Sequence, residues 1–357
     1  MAAALVTVLA VVGVVLALTN AGSGVLPVKA GSTKLLAADK APTAPELVGI
    51  TGFDNTAPLT LQSLRGGVVL VDFWTYTCIN CRRTFPFLRA LQKTYSGAGL
   101  TILGVHSPEF GFEKVHANVA RAVHELNVTW PVAEDPEMAT WQAFQNQYWP
   151  ADYLIDRTGK VRYFHFGEGN DDEIEQAVRD LLADGGTVPT TRVGDIANPE
   201  RPGDQSSDLT PETYFGAERG ARYIGAAGVV PAGKTATRHD GKQDRDVLSL
   251  EGAFVGGPEY LQLGAGAAVT QRFHAKDVYV TASPSAGSVV LDVTLDGQPV
   301  PADRRGSSLT VEAGRTVALL SKQDLLHLVT GSDIGDGTLT IKARTPGARF
   351  FTYTFGA

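Results

Sequence analysis

Residues 68–81 read VVLVDFWTYTCINC. Val68 to Trp74 is an unbroken apolar run interrupted by one acid, Asp72, the pattern of a parallel strand buried on both faces. Cys78 follows after a short polar loop, and Cys81 lies three residues beyond it. From Cys78 to Tyr95 the apolar residues Phe85, Leu88, Leu91 and Tyr95 recur at helical spacing. The stretch therefore predicts strand, loop and helix, with Cys78 at the helix start. Free backbone N–H groups and the helix dipole favour a thiolate there, so Cys78 is expected to be the attacking nucleophile, its pKa below that of a free thiol. Cys81, one turn along on the same face, is placed to attack the mixed disulfide and release the product. Burial of Asp72 in an apolar strand raises its pKa and suits it to exchange a proton with Cys81. The plainer alternative for Asp72 is a solvated acid at a strand end.

No other cysteine exists in the 357 residues. A zinc site needs two further ligands, and the seven histidines show no H-x₃₋₅-H spacing. Haem attachment needs His directly after the second Cys, where Arg82 stands. The expected chemistry is thus a redox-active disulfide between Cys78 and Cys81, with no metal and no separate cofactor. Net charge is −7 without a dense Lys/Arg stripe, which excludes the electrostatic footprint of a nucleic-acid binder.

Outward from this stretch, Leu100 to Val105 reads as a second buried strand. Tyr153 to Asp156 and Val161 to Phe166 read as a hairpin around Arg157-Thr158-Gly159-Lys160, and Glu173 to Leu182 as an amphipathic helix. Alternating strands and helices predict an α/β domain over residues 46–184. Loops after the C-terminal ends of parallel strands form binding crevices, which puts His106 and Glu109 of VHSPEF (105–110) near the dithiol. His106 is either part of that crevice or a hydrogen-bonded loop histidine. Trp74 and Trp149 either line the substrate groove or pack the core.

Residues 185–210 turn polar, with Pro189, Pro199 and Pro202, and read as a linker. Residues 211–357 change to period two: Leu291, Val293 and Leu295 alternate with Asp292 and Thr294 before an Asp296-Gly297 turn. This predicts an all-β sandwich of jelly-roll type. Alternation packs Tyr353 in its core with Phe351 and Phe355. At the N-terminus Ala2 to Leu18 is apolar apart from Thr7, and the first charge is Lys29. Residues 1–21 are expected to form a membrane-anchoring helix or a cleaved signal, and 22–45 a tether. Lys29 and Lys34 favour a cytoplasmic flank by the positive-inside tendency, whereas dithiol chemistry and the lack of spare cysteines favour export. Location at the cell membrane, with the soluble domains outside the cytoplasm, is the expectation.

LVDFW (70–74) followed by C-x-x-C resembles thioredoxin. Pro86 matches the helix-kinking proline of that family, and Trp149-Pro150 its cis-proline beside the dithiol. The N-terminal anchor resembles the exported TlpA and ResA branch. WTYTCINC (74–81), VHSPEF, YWPADYLID (148–156) and LDGQPV (295–300) together resemble the DipZ proteins over roughly residues 45–357. That resemblance implies a thioredoxin-like domain followed by a carbohydrate-binding-module-like domain, and a CcdA-like membrane electron donor. A multi-spanning CcdA-like part usually precedes these domains; here one hydrophobic segment precedes the redox domain, so either the electron donor is a separate protein or this chain is a shortened form. The implied activity is that of a membrane-tethered thiol–disulfide oxidoreductase that reduces protein disulfides of the envelope. Two alternatives are a glycan- or partner-binding protein with an accessory redox domain, and a copper-handling protein using Cys78, Cys81 and His106.

Overall fold

The computed structural model describes residues 35–186, 188–193, 208–220, 228–242 and 244–356. The expected N-terminal helix lies outside the described residues. Among those described, no helix is long and apolar enough to cross a membrane.

The first domain runs through β1 (Gly52–Asp54), β2 (Val68–Trp74), α1 (Ile79–Tyr95), β3 (Leu100–His106), α2 (His116–Glu125), β4 (Val132–Glu134), α3 (Ala139–Ala143), β5 (Ala151–Ile155), β6 (Val161–Phe166) and α4 (Asp171–Ala183). Its sheet has the order β1-β4-β3-β2-β5-β6. The central strands β2, β3 and β4 are parallel, and β1, β5 and β6 add antiparallel edges. Every residue of β2 is buried, because both faces of the sheet are covered. Val68, Leu70 and Trp74 pack with Phe85, Leu88 and Leu91 of α1 and with Val178 and Leu181 of α4. Val69, Val71 and Phe73 pack on the opposite face with Trp141, Phe144 and Tyr153. Side chains alternate along a strand, so Asp72 shares the face of Leu70 and Trp74, the one α1 covers.

Two stretches differ from the sequence expectation. Residues from Leu36 to Ala44, expected within a tether, lie along the β5–β6 hairpin. Leu36 N donates to Arg162 O, Val161 N to Pro42 O and Ala44 N to Gly159 O, each within 2.9 Å. An edge strand with unpaired backbone groups takes such a segment readily. Within the expected linker, residues 188–193 fold back on α4: Val193 N donates to Glu175, and Val188 and Val193 pack against the core.

The second domain is a 13-stranded antiparallel sheet. Leu291, Val293 and Leu295 are buried alternately, as their pattern predicts. Leu320, near one end of the strand order, and Leu328, at the other, share one core with Val280, Phe273 and Tyr353. The sheet therefore folds over its own apolar face, one hydrogen-bonded sheet rather than two stacked ones. Phe351 departs from the expected alternation. Thr281 pairs with Thr352 but Ala282 pairs with Phe350, so Phe351 is the extra residue of a β-bulge. The bulge turns Phe350 and Tyr353 into the core and sends Phe351 outward onto Phe110 and Phe112 of the first domain.

Candidate active site

The loop after β2 delivers Cys78 to the N-cap of α1, where its Sγ accepts from Cys81 N at 3.3 Å. That bond takes up one of the orphan N–H groups of the first helical turn. Both thiols are free; Cys78 is half-buried and Cys81 fully buried. Burial pushes the Cys81 thiol up, and the neighbouring Cys78 and Asp72 push it further. The exposed member of the pair is thus the one at the helix start, and the buried one holds its proton.

Asp72 is 1% exposed, and neither carboxylate oxygen has a hydrogen-bond partner. Burial raises it well above the usual carboxylate range, and the charge of Asp152 adds to the effect. Asp152 faces it across the β2–β5 pair, and burial pushes Asp152 up to about 7, with Asp171 adding. Two buried acids side by side cannot both ionise cheaply, so at least one proton is stored here near neutral pH. Asp72 also acts on Cys81 electrostatically, its charge helping to raise the thiol. The solvated-acid reading of Asp72 is therefore set aside.

The remaining candidates separate. Trp149 borders the dithiol: its indole N–H donates to Ser107 O at 3.0 Å, its ring packs on Trp141, and it lines the same slot as Cys78. Glu109 lines that slot as well. Burial pushes it up to about 8, with Glu212 adding and Arg219 opposing. The Trp149–Pro150 bond is cis and leads directly into β5, whose Ala151 pairs with Phe73.

Trp74 is fully buried between Phe85 and His106, a core residue rather than a groove wall. Its indole lies so close to Gly104 that a Cβ there would sit 2.8 Å from Nε1. His106 is the last residue of β3 instead of a loop histidine. It is buried between Trp74 and Tyr76, reaches Thr75 Oγ at 3.3 Å and does not line the slot. Burial pushes it down to about 3, so it stays neutral. Cys78, Cys81 and His106 do not gather three ligand atoms within 4.8 Å, as Asp54, His116 and Glu134 do at the far edge of the sheet. The copper arrangement therefore loses its geometry.

Sequence reasoning missed two residues. Asp152 carries the same signal as Asp72, an acid within a buried run, here ADYLI. Glu113 is buried beneath the dithiol loop and accepts from Thr77 N (3.3 Å), Thr77 Oγ (2.6 Å), Glu109 N (2.8 Å) and Phe110 N (3.0 Å). It clasps the loop before Cys78 to the loop after β3. The two Glu of SPEFGFEK give no periodic signal of this.

In the second domain, Tyr279 and Tyr353 are buried, Tyr214 is hydrogen-bonded to Glu109 and Glu212, and Tyr260 packs on Phe351 and Arg349. Tyr223 lies outside the described residues. Two cavities lined by this domain alone, about 490 and 500 Å³, have no aromatic ring among their lining residues, whereas one of about 600 Å³ that it shares with α1 is lined by Tyr279 and Phe85.

Fold, dithiol and buried acid together define a thioredoxin-like domain of the thiol–disulfide oxidoreductase class. Residues 37–181 match the family model described as Redoxin, and residues 210–356 the one described as thioredoxin like C-terminal domain. The chain is a homologue of DipZ: it is 36% identical to Protein DipZ of Mycobacterium tuberculosis over 321 residues, 88% of this chain and 43% of that protein. It thus spans less than half the length of that relative. Thiol-disulfide oxidoreductase YkuV of Bacillus subtilis is 28% identical over 140 residues, 39% of this chain and 94% of YkuV. A thiol:disulfide interchange protein of the thioredoxin family from Chlorobium tepidum is 24% identical in its crystal structure. It covers 41% of this chain and 99% of its own, with a TM-score of 0.35.

Proposed function

We propose that this chain is an exported, membrane-tethered thiol–disulfide oxidoreductase that reduces disulfides of envelope proteins. The observation that carries the redox part is a half-buried Cys78 at a helix N-cap beside a buried Cys81 and an unpartnered buried Asp72. The Cys78 thiolate attacks one sulfur of the substrate disulfide, forming a mixed disulfide and releasing one substrate thiolate. In its ionised form, with the stored proton of the acid pair on Asp152, Asp72 takes the Cys81 proton, and the Cys81 thiolate attacks Cys78 Sγ. The second substrate sulfur leaves as a thiolate, the Cys81 proton stays on Asp72, and a Cys78–Cys81 disulfide remains. Two electrons pass to the substrate, and the pair must then be reduced again.

The apolar run Ala2–Leu18 and the absence of any third cysteine support export and tethering. An exported reductant needs electrons from across the membrane, and a CcdA-like membrane protein is the proposed donor. A redox titration of the full chain against glutathione tests direction. A reductant has a potential nearer thioredoxin's roughly −270 mV, and a value near the roughly −120 mV of a strong oxidant reverses the role. Alkaline phosphatase fused to Ala357 tests location. The proposal predicts an active fusion, and a silent one beside an active cytoplasmic reporter overturns it.

A further inference from the structure

The second domain holds the dithiol helix and its neighbouring loop at two places. Through α1, Ile79 packs against Tyr279 and Leu325, Arg82 pairs with Asp324 at 2.9 Å, and buried Arg83 lies between Glu168 (3.5 Å) and Asp277 (3.9 Å). Through the loop after β3, Phe110 and Phe112 pack on Phe351, Gly111 N donates to Glu259 at 2.9 Å, and Arg219 pairs with Glu109 at 3.0 Å. Between these anchors is a slot of about 280 Å³. Cys78, Trp149 and Glu109 line it from the first domain, and Glu212, Tyr214, Arg219, Thr281, Thr352 and Thr354 from the second.

The wall from the second domain is fixed by its own bonds. Tyr214 OH bridges Glu109 (3.0 Å) and Glu212 (2.8 Å), Arg219 stacks on the Tyr214 ring, and Thr354 Oγ donates to Glu212 at 3.1 Å. Such a wall is rigid, polar and rich in donors and acceptors, which suits a polypeptide backbone. Its volume equals roughly nine liquid-water volumes of about 30 Å³, room for a few residues and no more. A folded partner docking face to face needs about 800 Å² of open surface per side, which a walled slot does not offer.

We infer that this slot is a binding site for an extended polypeptide segment carrying the target disulfide, and that the second domain screens out disulfides lying flush on folded surfaces. The inference rests on the thiol–disulfide reading above and adds the substrate class. The bulge at Phe351 is its structural origin, because it turns an aromatic ring out of the core to dock the wall beside the dithiol.

The test uses the reduced full chain in single-turnover reactions with three disulfides: free cystine, an unstructured peptide with one internal disulfide, and a folded protein with one surface disulfide. The inference predicts that the peptide reacts about tenfold or more faster than the folded protein, the size of effect that misplacing reacting atoms produces. Thr354→Trp, which narrows the slot, should lower the ratio of peptide rate to cystine rate about tenfold. Arg219→Ala, which widens it, should raise the folded-protein rate relative to cystine. Equal wild-type rates on peptide and folded protein overturn the inference, and so do unchanged ratios in both variants. Failure to reduce even cystine overturns the thiol–disulfide reading itself, and the inference with it.

Discussion

Replacing Asp152 by Asn removes one of the two buried acids behind the dithiol. Asp152 is fully buried and pushed from its usual 3.8 up to about 7, chiefly by desolvation. At ~1.4 kcal/mol per pH unit, that displacement corresponds to about 4 kcal/mol. The unfolded chain loses this proton near pH 4, whereas the native chain keeps it until about pH 7. Between those limits the native state holds the extra proton, so stability falls as pH rises. The favourable contribution is full below about pH 4 and lost above about pH 7. Asn carries no such proton, and its loss also relieves Asp72, whose pKa Asp152 raises. Denaturant unfolding of wild type and Asp152→Asn, followed by tryptophan fluorescence at several values from about pH 4 to pH 8, reads the difference. The variant should gain about 4 kcal/mol relative to wild type across that range. Acids away from this pair, such as the half-buried Glu109, contribute to both proteins and cancel, while the relief of Asp72 adds in the same direction. Two parallel curves with a constant offset would refute the stored proton at Asp152.

Asp72→Asn should slow release of the mixed disulfide about 10²-fold near neutral pH while leaving the first attack intact, as rapid-quench kinetics with a peptide disulfide would show; an unaltered second step returns Asp72 to structure alone. Gly104→Ala should cost about 2 kcal/mol in urea unfolding, because the new Cβ meets the Trp74 and Trp130 indoles at 2.8 and 3.0 Å. Arg83→Ala should cost about 3 kcal/mol by leaving buried Glu168 and Asp277 without their shared cation, read as a lower unfolding midpoint. A loss under about 0.5 kcal/mol would show that this buried bridge does not hold the domains together.

Much of the first domain was legible because its signals are local. The run Val68–Trp74 became a strand with the predicted limits, and Cys78 became the N-cap of α1. The acid in that run is buried, as an apolar strand with covered faces requires. Trp74 and His106 were not legible: period two assigns a face, but not whether that face meets helix or solvent. Asp152 carried the same pattern as Asp72, yet only the β2–β5 register shows that the two stand opposite one another. The inward turn of Phe350 depends on a one-residue bulge, which alternation alone reads in the wrong phase. The wall across the dithiol was invisible, since it joins residues more than a hundred positions apart through Arg219–Glu109 and Arg82–Asp324.

Order of attack by the two thiols tests the account most directly. Full-length Cys81→Ser and Cys78→Ser are each incubated with an unstructured peptide disulfide, and the products are separated without reductant and weighed by mass spectrometry. The half-buried N-cap thiol should attack first, so Cys81→Ser should accumulate a stable mixed disulfide through Cys78. Cys78→Ser, left with a buried thiol whose pKa is raised, should accumulate almost none. Equal trapping by both variants, or trapping through Cys81 alone, would contradict the assignment of Cys78 as nucleophile and Cys81 as the resolving thiol.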